Sequence, residues 1–212
     1  KRRLMIFNSR TTEHFSSNVS SHEFRKELGI DSSKLILLYI GSLGPGRSVM
    51  EAIDAVNSSE KNHLILGGHG MWASKVSEAI RDSKNVTFLG TVPSDELPKY
   101  FSIADVILGM RDPSIPDHAI SLPNKFFEAA AAKKPIIASS GTFVGELVLK
   151  HNLGKLANYG SVESLLKSLE SLRDMELRMR CGDSGADLLS GKFGWKWQAR
   201  KLNLLYNNLV KK

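Results

Sequence analysis

Apolar residues in this chain fall into short continuous runs separated by longer stretches of helical periodicity. The runs are Leu35–Ile40, His63–Leu66, Val86–Leu89, Val106–Met110, Pro135–Ala138 and a weaker one at Lys155–Ala157. Each is rich in Ile, Leu or Val, as strands buried on both faces are. Between them Val49, Ala52, Ile53 and Val56 follow a 3.6-residue period, as do Val76, Ala79 and Ile80, and then Leu97, Tyr100 and Phe101. Leu165, Leu166, Leu169 and Leu172 form a clear apolar stripe, and Ala199, Leu202, Leu205, Tyr206 and Leu209 form another near the end. Strand–helix alternation over six units predicts a doubly wound α/β sheet. Helix starts are marked by Ser94 with Asp95 and Glu96, and by Ser161 with Glu163. Asn124 is the predicted N-cap of a helix over Phe126–Ala132. No internal repeat or low-complexity tract interrupts the pattern.

In open parallel sheets, ligands bind outside the carboxyl ends of the strands. The loops expected there are Gly41-Ser-Leu-Gly-Pro-Gly-Arg47, Gly67-Gly-His-Gly70, Gly90-Thr-Val-Pro93, the long segment Arg111 to Leu122, and Ser139-Ser-Gly141. One glycine-rich turn serves turn geometry, but five such loops on one edge point to a binding site. The first loop has neither the G-x-G-x-x-G of dinucleotide binders nor the G-x-x-x-x-G-K-[ST] of P-loops. It places Arg47 just before a helix, where a permanent cation suits a diphosphate. The segment Asp117 to Ser139 runs from a polar loop through Pro123 into a short Ala-rich helix carrying one acid, Glu128. Free N–H groups at that helix start can hold an anion. A carboxylate one turn further in can bind sugar hydroxyls.

Composition and charge narrow the partners. The 212 residues suffice for one large domain or two small ones. No apolar run approaches the length of a membrane span, and the basic N-terminus lacks the apolar core of a signal peptide. The chain opens on Lys1 rather than Met, which points to a processed or truncated chain. The single cysteine, Cys181, excludes an internal disulfide and a cysteine-based zinc site, and a reducing cytoplasmic setting is expected. The net charge is +7, concentrated at the ends. Lys1, Arg2, Arg3 and Arg10 open the chain and Lys192, Lys196, Arg200, Lys201, Lys211 and Lys212 close it, leaving 19 basic against 22 acidic residues between them. The middle therefore carries no nucleic-acid footprint. The basic ends suit a partner domain or an anionic membrane surface. The histidines are scattered and no Asp-x-Asp pair occurs, so no bound metal and no cofactor are expected.

The order of these pieces resembles the C-terminal half of a GT-B glycosyltransferase, specifically glycosyltransferase family 4. Ile6-Phe-Asn8 with Thr12-Glu-His-Phe15 is similar to that family's interdomain segment. Leu38-Tyr-Ile-Gly41 followed by Arg47 resembles its first strand and phosphate loop, and Leu64-Ile-Leu-Gly-Gly-His-Gly70 its Gly-Asp-Gly turn. Asn85-Val-Thr-Phe-Leu-Gly90, Glu96-Leu-Pro and Ala104-Asp-Val follow in the family's order. Leu122-Pro-Asn-Lys-Phe-Phe-Glu128 with Lys134-Pro-Ile-Ile-Ala138 is the most specific match, and Trp195 with Tyr206 completes it.

The resemblance implies an α/β fold: a doubly wound, mostly parallel six-stranded Rossmann-like sheet with helices on both faces, one half of a GT-B fold. It divides the chain into an interdomain segment (1–15), a nucleotide-sugar-binding domain (16–194) and a C-terminal helix (195–212) that packs toward a missing N-terminal domain. By resemblance Glu128 binds the donor ribose. Arg47, with the backbone around Pro123 and Asn124, contacts the diphosphate and stabilises it as leaving group. Gly90, Thr91 and Val92 flank the base. Gly41, Ser42 and Leu122 complete the donor site, with His118 as a further candidate. No residue is assigned as catalytic base. The implied activity is metal-independent, retaining transfer of a sugar from a nucleoside diphosphate to an acceptor held by the N-terminal half. The isolated domain is expected to be inactive, and association with a membrane surface would run through that half.

Two family positions differ. The family's Glu, seven residues, Glu motif ends on Glu128 but begins on Ile120, and the family's Arg after the first-loop Gly is Ser42. Ile120 favours a second reading, a nucleotide-sugar-binding module without transferase activity. A nucleotide-sugar epimerase of the same fold would need acids and a His converging on the sugar, for which Asp117 and His118 are the nearest candidates. A receiver-type domain would need clustered acids after strands one and three, where Gly41 and Gly90 stand.

Overall fold

The six apolar runs become six strands: β1 (Leu35–Ile40), β2 (Asn62–Gly67), β3 (Val86–Phe88), β4 (Val106–Leu108), β5 (Ile136–Ser139) and β6 (Gly154–Ala157). The structure is a computed structural model that describes residues 4–15 and 19–210. The strands lie in the order β3-β2-β1-β4-β5-β6. The sequence predicts a mostly parallel sheet, and here every pairing is parallel. The chain starts at the centre, works outward to β3, then crosses back to β4 beside β1. This is the order in which loops on the two sides of β1 diverge and open a crevice at the carboxyl edge.

A 3-10 turn at Thr12–Phe15 precedes the helices. These are α1 (Ser21–Glu27), α2 (Val49–Asn57), α3 (Ala73–Ala79), α4 (Leu97–Ile103), α5 (Pro116–Ile120), α6 (Asn124–Ala131), α7 (Phe143–Lys150), α8 (Val162–Ser171), α9 (Met175–Ser190) and α10 (Trp195–Val210). Side chains alternate across β1. Leu35, Leu37 and Tyr39 join the core beneath α2, α3 and α8. Ile36 and Leu38 join the core beneath α1, α4, α6 and α7. Leu37, Leu38, Leu64, Ile65 and Leu66 are fully buried. Each such side chain contributes about 1.5–3 kcal/mol on leaving water, and this anchors the central strands whose ends carry the site.

Several helix starts match the sequence and three places differ. Ser161 caps α8 as expected, its side chain accepting from Ser164 N–H at 3.1 Å. Helix α4 begins at Leu97 rather than Ser94, with Pro98 in its first turn. Proline's fixed φ and missing N–H suit that turn. Asn124 is not the cap of α6. Pro123 holds the cap position at φ −74°, and Asn124 is the first helical residue. The Asn124 side chain instead accepts from Asn8 Nδ2 at 2.9 Å. The long segment Arg111–Leu122 holds the short helix α5, which buries His118.

The N-terminal segment lies against the domain. Phe7 N–H donates to Gln198 Oε1 at 3.1 Å, and Gln198 in α10 is fully buried. Beyond this anchored start, α10 leaves Leu204, Leu205, Tyr206 and Leu209 exposed, with Trp195 and Trp197 exposed at its base. The extreme ends of the expected interdomain segment and terminal helix, residues 1–3 and 211–212, and residues 16–18 lie outside the described residues. No helix among the described residues is long and apolar enough to cross a membrane.

Candidate functional site

Backbone hydrogen bonds knit the strand-end loops into one surface. Gly41 N–H donates to Gly67 O at 2.9 Å, Leu43 N–H to His69 O at 2.8 Å, and Gly68 N–H to Gly90 O at 2.6 Å. The first two loops meet so closely that a Cβ on Gly68 would stand 1.7 Å from Gly41 O. On the other side Asp112 N–H donates to Gly46 O at 3.1 Å, and Gly46 N–H donates to the Tyr159 hydroxyl at 3.1 Å. Arg111 N–H donates to Ser139 Oγ at 2.9 Å. The loops that the sequence groups on one edge therefore form a single rigid rim around the ends of β1 and β4.

Three cations converge on that rim. Arg47 enters from the loop before α2, Arg111 follows β4, and Lys125 lies in the first turn of α6. They are near enough that the Arg47 charge acts on Arg111, Lys125, His118 and Tyr39. Arg47 makes no hydrogen bond or ion pair with the described residues. Arg111 Nη1 donates to Ser121 Oγ, and its Nε is buried without a partner. Burial and then Arg47 lower the Arg111 pKa, although a guanidinium stays charged in any protein.

Lys125 Nζ donates to Ile40 O at 2.7 Å and lies 3.6 Å from the Tyr39 ring centroid. Burial brings its pKa down to about 7, with Glu128 opposing and Arg47 reinforcing the drop. Tyr39 donates its hydroxyl to Ser42 O at 2.6 Å, and burial pushes its phenol up to about 12. Ser42 thus meets the site through its backbone carbonyl. His118 packs on Gly46, where a Cβ would come within 2.7 Å of its Cε1. Its Nδ1 is buried without a partner, and burial followed by Arg111 and Arg47 lowers its pKa. A neutral imidazole in contact with loop backbone shapes the rim.

One turn beyond Lys125, Glu128 faces the other half of the crevice. Its side chain is 12 % exposed and pairs with Arg10 at 3.6 Å. Burial raises its pKa, while Lys125 and Arg10 pull the other way. Glu128 and Arg10 line a cleft of about 280 Å³ with His14, Phe15, Ser94, Asp95, Leu97 and Pro98. The Gly90–Val92 turn leads toward this cleft, with Val92 packed on Gly67. No side chain caps α6; Phe126 N–H donates to Pro123 O at 3.1 Å, which leaves the Asn124 and Lys125 N–H groups open at the helix start. A larger cavity of about 760 Å³, lined by Asp31, Lys34, Asn57 and Asn85 among others, lies at the opposite edge of the sheet, away from the strand-end loops. Among the described residues no three His, Cys, Asp or Glu side chains gather as a metal site.

Of the expected donor-site residues, Gly41 and Gly90 lie on the hydrogen-bonded loops, Arg47 on the loop before α2 and Val92 against Gly67, while Pro123, Asn124 and Glu128 lie at the start and second turn of α6, with Leu122 packed against the core. Thr91 sits exposed on the rim. Sequence reasoning missed Arg10, Arg111 and Lys125. Lys125 had a local signal, since it precedes Glu128 by one helical turn. A rim of backbone donors and cations beside a sheltered carboxylate can hold a diphosphate joined to a polyhydroxyl group.

The family model for glycosyl transferases group 1 matches residues 20–187, so the chain belongs to that family. A putative glycosyltransferase, YtcC, of Bacillus subtilis (strain 168) is 26 % identical over 204 residues, covering 88 % of this chain and 48 % of the relative. A GDP-mannose-dependent alpha-(1-6)-phosphatidylinositol monomannoside mannosyltransferase of Mycobacterium tuberculosis (strain ATCC 25618 / H37Rv) is 28 % identical over 144 residues, or 66 % of this chain and 37 % of the relative. The chain spans about half the length of the curated relatives it matches. Among solved structures, HepE of Anabaena in complex with UDP superposes with a TM-score of 0.79 at 18 % identity, covering 95 % of this chain and 57 % of HepE. The C-terminal domain of a glycosyl transferase group 1 protein, LpcC, from Francisella tularensis superposes with a TM-score of 0.70 at 18 % identity, covering 88 % of this chain and 100 % of that domain. At these identities the structures show the fold alone, that of the C-terminal half of GT-B glycosyltransferases.

Proposed function

We propose that this chain is the donor-binding half of a metal-independent, retaining glycosyltransferase of family 4. It binds a nucleoside-diphosphate sugar and presents the sugar to an acceptor held by an N-terminal domain. The observation that carries this reading is the crevice between β1 and β4. There Arg47, whose charge acts on Lys125 and Arg111, and the start of α6, which no side chain caps, would take a diphosphate, and Glu128, one turn along α6 from Lys125, would take the ribose. In such a transfer the diphosphate gains negative charge as the anomeric carbon becomes cationic. Preorganised donors aimed at that charge supply most of the acceleration. Arg47 is the charged donor and the Asn124 end of α6 the dipolar one. The name of the GDP-mannose-dependent relative and the UDP complex of HepE agree with a nucleotide-sugar donor but leave the base open. The exposed Trp195, Trp197 and the apolar stripe of α10 would then face the acceptor-binding half.

Titrating UDP, GDP and ADP into the chain by calorimetry tests the reading. One of them is expected to bind, and binding of none overturns it. Ile120, 75 % exposed where the family carries a Glu, favours the second reading, a nucleotide-sugar-binding module without transfer. Donor turnover by the full-length protein separates the two.

A further inference from the structure

We propose that Lys125 is a direct ligand of the donor diphosphate, in place of the arginine that the family carries at Ser42, and that the site takes up a proton as the diphosphate enters. This rests on the nucleotide-sugar reading above.

The first argument is position. Lys125 Nζ lies under the first loop, where a Cβ on Gly41 would come within 3.5 Å of it. Its donation to Ile40 O holds it at the carboxyl end of β1, immediately before Gly41 and Ser42. The cation absent from position 42 is thus supplied from α6 on the same side of the crevice. It feels the charges of both Arg47 and Glu128, the groups assigned to diphosphate and ribose.

The second argument is spare bonding capacity. An ammonium has three N–H donors. One goes to Ile40 O, and the Tyr39 ring covers part of the remainder. Glu128 makes its close ion pair with Arg10 rather than with Lys125. Among the described residues, no carboxylate lies within ion-pair distance of Lys125.

The third argument is charge. The groups facing Lys125 are Tyr39 from β1, Arg47 from the loop before α2, and Glu128 on its own helix. One step out stand Arg10 on Glu128, and Arg111, His118 and Asp117 around Arg47. Tyr39 stays neutral through the working pH range. Enclosure, reinforced by Arg47, outweighs Glu128 and brings the Lys125 pKa down to about 7 in the empty site. A diphosphate brings negative charge to the same spot and favours the ammonium. Buffer or solvent gives up the proton, which forms one N–H bond on the Lys125 amine, and no bond of the donor breaks. Linkage then fixes the sign: the contribution of Lys125 to affinity is full below about pH 7 and weakens as pH rises, by up to about tenfold per unit.

The test uses calorimetry on the whole chain with UDP, GDP and ADP, in buffers of different ionisation enthalpy at pH 8. The proposal expects uptake of close to one proton per diphosphate bound. Lys125→Met is expected to weaken binding about a hundredfold and abolish the uptake. Lys125→Arg, permanently charged, is expected to retain affinity within about fivefold and lose the pH dependence. Wild-type binding without proton uptake, or a folded Lys125→Met that binds as tightly, overturns this inference and leaves the donor-site reading standing. If no diphosphate binds the wild type, both fall. If Lys125→Met does not fold, the wild-type proton count decides alone.

Discussion

Glu128→Gln separates binding from folding. The carboxylate is sheltered, and its close ion-pair partner, Arg10, stands at 3.6 Å. Burial raises its pKa above the ordinary 4.5, and the two cations offset this only in part. A folded pKa above the unfolded one means that folding disfavours the charged form. The associated stability is present below the unfolded value and is lost as pH rises through the folded value. At neutral pH the ionised carboxylate therefore costs the fold something, and glutamine keeps the shape without that cost. The Arg10 attraction is already part of that net shift, and an ion pair of this kind contributes only about 0–1 kcal/mol. At roughly 2–4 °C per kcal/mol for a chain of this size, Tm should stay within about 3 °C of wild type. Binding should respond differently. A hydrogen bond from a ribose hydroxyl to a carboxylate contributes about 1.5–3 kcal/mol, so nucleotide affinity should drop about 10- to 150-fold. Calorimetry and thermal melts on the same preparations read both. A Tm lowered by more than about 6 °C with unchanged affinity would make Glu128 a structural residue and refute the assignment.

Phe127→Ala should cost about 3–5 kcal/mol in urea unfolding, because the ring is almost fully buried and stands edge-on to Phe126 at 5.3 Å; a loss under about 1 kcal/mol would contradict its place in the core. Gly68→Ala should lower Tm sharply and abolish nucleotide binding, since its Cβ would strike Gly41 O. Gly160→Ala should cost only about 1–3 kcal/mol of backbone strain, because it shares a positive φ but faces open space. Equal melts for the two glycine variants would remove the close approach of the loops as a constraint. His63, buried and bonded to Thr87 Oγ1 at 2.8 Å, has its pKa lowered from 6.5 to about 4. The stability it contributes is present above pH 6.5 and lost as pH falls toward 4, so His63→Gln should flatten that stretch of the urea-midpoint profile, and an unaltered profile would count against it.

What was legible in the sequence follows from how locally each feature is specified. The strands were legible because a parallel sheet covered on both faces demands continuous apolar runs, and β1 carries one to the residue. The short helix α5 was not, since five residues opened by Pro116 give no period to read. Pro123 displaced Asn124 from the cap because its ring already fixes the required φ, leaving the Asn124 side chain to the N-terminal segment. Glu128 was legible as an acid in an Ala-rich helix. Its partner Arg10 was not, because only the folded path of the N-terminal segment brings the two together. Lys125 reads in sequence as a solvated lysine one turn from a glutamate. The first turn of α6 tucking under the end of β1 is what encloses it.

The two departures from the family pattern have opposite sign. On the proposed donor reading, Ser42 lacks a cation beside the diphosphate and Ile120 lacks an anion beside the sugar, and the two changes offset in net charge. The losses differ in how they are met. The cation has a substitute within reach, because Lys125 lies against Gly41 and Arg111 lies near Arg47 and Tyr39. Nothing comparable replaces the acid. Asp117, the nearest carboxylate in sequence, acts on the Arg111 and His118 charges, and Ile120 points an exposed apolar side chain outward from the end of α5. On the proposed reading, charge within this domain would select the nucleotide end of the donor, and Ile120 would offer an apolar contact at the sugar end. On that reading, recognition of the sugar would shift toward a surface that closes over Ile120, and the exposed tryptophans and apolar stripe of α10 would offer a separate face to a partner domain.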